Sequence, residues 1–189
     1  MSSLALALRA ATTDAHRRLE RDLDLLAPPL SQQRFTALLM RFWGFHAVWE
    51  PTLLKQPGLR GLMADRVRLG LIETDLRALG LGHANIQALP LCAGAADLAA
   101  STEQGLGSLY VLEGSTMGGR LISRALAQAA WLPAYGLRYF DPYGRGTGVM
   151  WRQFQAVLNA AASPEADRLA LTAAVNTFDV LHQWLLEDR

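Results

Sequence analysis

The chain has 189 residues, 51% hydrophobic and 19% charged, which suits a soluble globular protein able to bury a substantial core in one domain. A net charge of +1 with one lysine, Lys55, leaves no basic footprint for nucleic acid, and no apolar run approaches the roughly 18 residues of a membrane span. A lone cysteine, Cys92, excludes an intrachain disulfide and any zinc or iron–sulfur centre built on several thiolates, so it is expected to be a small, semi-buried apolar residue.

Apolar residues recur at helical spacing almost throughout, and no stretch alternates with period two for long, so the pattern predicts an all-α, single-domain helical bundle over residues 1–189. The opening MSSLALALRAATTDAHRR lacks a basic n-region and its apolar run stops at Arg9; this is a poor secretory signal, and the expected location is cytoplasmic. A first helix is expected from Leu4 to Leu26, stopped by Pro28 and Pro29. Ser31 then caps a second, SQQRFTALLMRFWGFHAVWEPTLLKQ, kinked or interrupted at Pro51 and ended by Gly58. A third spans Gly61 to Leu79 with Gly80 as its stop, and a loop follows through GHANIQALPLCAG. The fourth starts near Asp97 or Ser101 and ends before Pro133. After the irregular stretch AYGLRYFDPYGRGTG comes a fifth helix, VMWRQFQAVLNAAA. Ser163, Pro164 and Glu165 supply a cap, a proline at the first helical position and a first-turn acid, opening a sixth helix that runs nearly to Arg189.

The fourth helix contains GSTMGG, and each glycine there costs about 1 kcal/mol against alanine. Gly107, Gly114 and Gly118 are seven and four residues apart, so they share one side and expose a strip of backbone. Close helix–helix packing explains such a strip; so does a flat macrocycle lying nearer the backbone than any side chain would allow. On the first helix His16 shares a face with Ala5, Leu8, Thr12, Leu19 and Leu23, which points its imidazole toward a mostly apolar interior. It reads either as a core histidine satisfied by a carbonyl or as a metal ligand. Glu20, one turn on, either holds one ring nitrogen and frees the other for a metal, or lies on a solvated face with Arg17 and Arg21.

The other histidines offer less. His46 follows Phe42, Trp43 and Phe45 and is expected among aromatics, His83 lies in a loop and His182 near the C-terminus. No two histidines stand at i, i+4 and there is no Glu-x-x-His, so a di-iron carboxylate bundle has no support. One histidine cannot hold a bare metal ion, but it can hold an iron that already has four ligands, which is haem. Ser115 would then stand near the second axial position and anchor ordered water. The glycine-rich helix carries no histidine, so the acid–base group of a peroxidase-type pocket is missing.

These segments resemble the haem oxygenase family along most of the chain. LRAATTDAHRRLE is similar to the family's Leu-basic-x-x-Thr-x-x-x-His-x-x-x-Glu signature, and LYVLEGSTMGGRLI to the distal helix of its bacterial and cyanobacterial branches, including those that supply bilin to bacterial phytochromes. ETDLRALG, YG followed by WRQF, and NTFDVLHQWL agree as well. The resemblance implies His16 as proximal haem ligand with Glu20 as its hydrogen-bonding neighbour, Gly114 and Gly118 against the haem face, and Ser115 organising distal water. It further implies Thr12 and Gly119 as haem contacts, with Arg9, Arg152 and Tyr110 at the propionates. Animal members have a distal aspartate where this chain has Ser115. The activity implied is cleavage of haem to biliverdin, carbon monoxide and ferrous iron, with haem both cofactor and substrate. Implied partners are O2, a ferredoxin or reductase as electron donor, and a phytochrome as bilin acceptor, with no membrane. Arg17, Arg18 and Arg21 read either as a docking surface for an acidic ferredoxin or as a solvated face. Two rival functions are a non-catalytic haem carrier or sensor on the same fold, and a helical interaction module whose glycines and histidine are structural.

Overall fold

The computed structural model describes residues 3–26, 30–133 and 137–187, and among these the regular structure is helical, with no strand. The helices are α1 (Ser3–Leu23), α2 (Gln32–Lys55), α3 (Arg60–Met63), α4 (Leu69–Ala78), α5 (His83–Gln87), α6 (Thr102–Leu126), α7 (Thr147–Ala160) and α8 (Pro164–Leu186). Three short 3₁₀ turns join them at Pro57–Leu59, Ala93–Ala99 and Gly144–Gly146. No helix among the described residues is long and apolar enough to cross a membrane.

Capping residues set most boundaries. Ser31, Ser101 and Ser163 each accept a bond from the amide three residues on, Arg34, Gln104 and Ala166 respectively, so each satisfies one orphan donor of its helix. The fourth expected helix therefore begins after Ser101, and Asp97 belongs to the preceding 3₁₀ turn. Gly80, at φ +102°, ends α4 as expected, because a side chain there would strain the backbone. The first helix stops at Leu23, short of the expected Leu26, where Asp24 turns to φ +46°. Pro28 and Pro29, named as its stop, lie outside the described residues.

Three expectations are corrected. The third helix breaks between Met63 and Leu69, because Arg66 and Arg68 turn inward to the carboxylate of Glu113 instead of continuing the helix. The expected loop after Gly80 holds a short helix, α5, and a 3₁₀ turn. Helix α2 runs through Pro51 without interruption, its last turn held in the core by fully buried Leu53.

The core gathers Leu8, Phe35, Leu39, Phe45, Trp49, Ile72, Leu76, Phe154 and Leu158, all buried. Cys92 joins it as the expected small apolar residue, and burial raises its thiol pKa. Helix α8 is the central element: α6 packs most extensively on it, and α1 packs along it as well. An ion pair and a hydrogen bond join α1 to α8, Arg18 with Asp179 at 2.5 Å and His182 Nε2 with Asp22 at 2.8 Å.

Candidate active site

Helices α1 and α6 both pack against α7 and α8, so the latter two form the floor between them. His16 projects from α1 with its side chain 48% exposed, its ring edge-on to Phe178 of α8 at 5.6 Å. This corrects the inward-pointing imidazole expected from spacing. Leu8, Thr12, Leu19 and Leu23 fill the buried side of α1, and His16 stands at the edge of that stripe. Nδ1 lies 3.5 Å from Glu20 Oε2, while Nε2 has no partner among the described residues. One ring nitrogen thus faces a carboxylate and the other is open to a ligand.

The glycine strip of α6 divides in two. At Gly107 an added Cβ would stand 2.7 Å from Ala170 Cα, so this glycine serves the close approach of α8. At Gly114 the nearest atoms are those of Trp151 of α7 at 3.9 Å, and at Gly118 nothing lies within 4 Å. Met117 and Leu121 complete the face at helical spacing, 52% and 53% exposed, so bare backbone is flanked there by apolar side chains that the protein itself leaves uncovered. Close helix packing therefore accounts for Gly107, whereas the backbone at Gly114 and Gly118 is left uncovered by the protein.

The remaining candidates spread over this region. Arg9 is exposed on α1 and close enough to Tyr110 of α6 to oppose electrostatically the rise that burial causes in its phenol pKa. Tyr110 also packs on Trp151 at 5.7 Å. Arg152 is exposed on α7. Ser115 is exposed and its hydroxyl donates to the Leu112 carbonyl at 2.8 Å, so in this rotamer it can only accept from a water. Thr12 is buried, its hydroxyl committed to Leu8 O at 2.8 Å. Gly119 faces the backbone of Phe140, away from the open strip. Arg17, Arg18 and Arg21 each stand beside a carboxylate: Asp14, Asp179 and Asp22.

This combination of a half-exposed histidine beside a carboxylate and an uncovered glycine face is matched at the level of the whole sequence, since a family model described as "Heme oxygenase" covers residues 2–187. The chain belongs to the haem oxygenase family. It is 37% identical over 113 residues to the heme oxygenase of Xanthomonas campestris pv. campestris (strain 8004), a match that covers 56% of this chain and 60% of that relative's length. Its fold is that of heme oxygenase from Leptospira interrogans, with a TM-score of 0.80 at 16% identity over 98% of this chain and 100% of that one. The NO- and CO-bound heme oxygenase from Neisseria meningitidis gives a TM-score of 0.73 at 25% identity, covering 100% and 96% of the two chains. The expected all-α architecture of the haem oxygenase type is therefore the observed one.

A buried polar network behind the glycine strip was not legible in the sequence. Glu113, directly before Gly114, is 1% exposed and pairs with Arg68 and with Arg66, the latter at 3.3 Å. Tyr143 donates to the same carboxylate at 2.8 Å. Burial works against the charge of Arg68, but Glu113 and the neighbouring tyrosines outweigh it and raise its pKa. Tyr143 is pushed up to about 12, chiefly by burial. Arg68 continues the network through its backbone amide, which donates to Glu50 at 2.7 Å; Glu50 also meets His46 Nδ1 at 2.8 Å. His46 Nε2 lies 3.1 Å from the hydroxyl of Tyr139, and burial depresses the His46 pKa, so the ring stays neutral, accepting from Tyr139 and donating to Glu50. His46 is ringed by Phe45, Trp49 and Tyr139, the aromatic setting expected for it. The signal that could have found the rest was a glutamate and two arginines within otherwise apolar segments, ambiguous until the segments are brought together.

Proposed function

We propose that this chain binds one haem between His16 and the Gly114–Gly118 backbone and cleaves it with O2 and electrons to biliverdin, carbon monoxide and ferrous iron. Family membership supports an enzyme of this kind. The observation that carries the reading is the presence together of a half-exposed histidine with Nδ1 beside a carboxylate and an exposed glycine at which an added Cβ would meet no atom within 4 Å. The residues present fit a flat, apolar, iron-bearing ring: a free imidazole nitrogen, bare backbone, and exposed Met117 and Leu121 beside it.

When bound, haem supplies an iron that takes up O2 and a macrocycle that is itself oxidised. His16 would hold that iron through Nε2, with the Glu20 carboxylate 3.5 Å from Nδ1 and able to orient the ring. Gly114 and Gly118 would let the α6 backbone lie against the macrocycle, since a Cβ at Gly118 meets no atom within 4 Å. Ser115 accepts a bond from a water and holds it close to the site of proton delivery, its own proton being committed to Leu112 O. Helix α6 carries no histidine to serve as an acid–base group there, so proton delivery would fall to water held at Ser115. Arg9, Tyr110 and Arg152 bind the propionates, with Thr12 and Gly119 contributing to the seating of haem. The family match runs over residues 2–187, in keeping with one domain. The reading further places the protein in the cytoplasm, drawing electrons from a ferredoxin or reductase and passing bilin to an acceptor such as a phytochrome.

One optical experiment tests the reading. Haemin is added at one equivalent, the Soret band is recorded, and ascorbate or a reductase is supplied in air. A histidine-type spectrum that decays to a broad bilin band is expected. A stable complex that never bleaches under several donors points to a carrier or sensor, and no Soret shift at all to a structural role for His16.

A further inference from the structure

The Gly114–Gly119 turn and a half is the weakest helical stretch of α6: its three glycines forgo about 3 kcal/mol of helix propensity relative to alanine. Ser115 and Thr116 also bond back to the carbonyls of Leu112, at 2.8 Å, and Glu113, at 2.6 Å, a pattern that bends helices. A segment so constituted takes its path from whatever fastens it. One fastening stands at each end. Before Gly114, the Glu113 carboxylate is held by Arg66, Arg68 and Tyr143, and Arg68 Nη1 also donates to the Leu112 carbonyl at 3.0 Å. At the far end, Gly119 lies so near the Phe140 backbone that an added Cβ would stand 3.2 Å from its carbonyl carbon, and nearer still to the oxygen.

Phe140 and Tyr143 belong to one loop, and that loop is itself anchored. Asp75 accepts from the amides of Arg138 and Tyr139 at 2.9 and 2.8 Å, and the Tyr139 hydroxyl meets His46. Two arginines and a glutamate buried together are a poor means of gaining stability, because their desolvation offsets the pairing. Their distinctive effect is to fix one geometry, since each donor and acceptor must be met at a definite place.

Resting on the haem reading above, we infer that Glu113, Arg68 and Tyr143 are positioning residues that set the course of α6 at Gly114–Gly118, and so the gap between that backbone and His16. They act through the α6 backbone. Their carboxylate, guanidinium and phenol stay behind the helix while its glycine face receives the substrate.

The test is Tyr143→Phe, which deletes the hydrogen bond to Glu113 and the longer one from Arg68 Nη2 at 3.4 Å, and keeps the ring beneath the Arg68 guanidinium, 5.4 Å from its centroid. Glu113→Gln accompanies it as the stronger perturbation, and where it fails to fold the tyrosine variant alone decides. In the haem-free protein, amide exchange at residues 114–119 should accelerate about fivefold in Tyr143→Phe, the loss chiefly of one hydrogen bond to a charged group shared with other donors. Exchange along α8 should not change. In the haem complex the Soret maximum and the ratio of bilin isomers should both shift. Unchanged exchange at 114–119, or an equal acceleration throughout α8, overturns the positioning role. Local acceleration with a wild-type Soret maximum and isomer ratio overturns the link to the gap. A wild-type protein that binds no haem defeats the functional reading instead, and the exchange data still decide whether these residues fasten the helix.

Discussion

Adding a single carbon at two points of the α6 glycine strip should change stability in opposite directions. At Gly118 a Cβ meets no heavy atom within 4 Å, so alanine brings no clash and recovers about 1 kcal/mol of helix propensity. At Gly107 the same carbon stands 2.7 Å from Ala170 Cα and from its carbonyl carbon, and closer still to the oxygen. These are backbone atoms, so no rotamer relieves the contact, and α6 and α8 must part by roughly 1 Å along an extensive interface to restore ordinary separation. Overpacking of that kind costs about 1–3 kcal/mol, more than the propensity returned. Urea denaturation of the haem-free proteins measures both: Gly118→Ala should be more stable than wild type by about 1 kcal/mol and Gly107→Ala less stable. Gly118→Leu then separates stability from binding, because its side chain enters the face shared by Gly114, Met117 and Leu121. It should fold and fail to seat haem in an optical titration. A Gly118→Ala variant less stable than wild type without haem would refute the open strip, and Gly118→Leu with wild-type haem affinity would refute its assignment to the macrocycle.

His16→Ala should fold normally, since the side chain is half-exposed, and should lose the histidine-ligated haem spectrum together with turnover; a retained spectrum would assign the ligand elsewhere. Arg9→Glu reverses a charge that acts on Tyr110 and should weaken haem binding or alter the bilin isomer ratio, read by titration and product chromatography; no change in either removes Arg9 from the site. Burial depresses the His46 pKa below the ordinary value near 6.5, so the unfolded chain binds a proton that the folded one refuses. Its contribution is whole above pH 6.5 and is lost on acidification from there down through the folded pKa, by at most about 1.4 kcal/mol per pH unit. Denaturation at pH 7.5 and 5.5 should show a shallower dependence in His46→Gln than in wild type, and identical slopes would contradict the neutral ring.

Much of this protein is written locally. Caps at Ser31, Ser101 and Ser163 act within three residues of themselves, and the stop at Gly80 depends on its own φ, so reading along the chain finds them. The 3.6-residue period fixes which side of each helix is apolar, and with it the all-α class. His16 and Glu20 are one turn apart, so their pairing is likewise local, as is the face shared by Gly114 and Gly118.

Other features required distant segments to meet. Spacing makes Gly107 equivalent to Gly118, yet α8 covers the first and leaves the second bare. Periodicity likewise carries the third helix straight through Arg66 and Arg68; it breaks because Glu113, some 45 positions away, draws the Arg68 guanidinium inward. Thr12 and Gly119 belong to the right helices, but their surroundings are set by Leu8 O and by Phe140. Helix period and capping are energies of neighbours in sequence, fixed before the chain collapses. Which face a helix covers, and which buried charge finds its counter-ion, are energies of neighbours in space, and only the packing of α6 on α8, α7 and the loop around Tyr143 decides them.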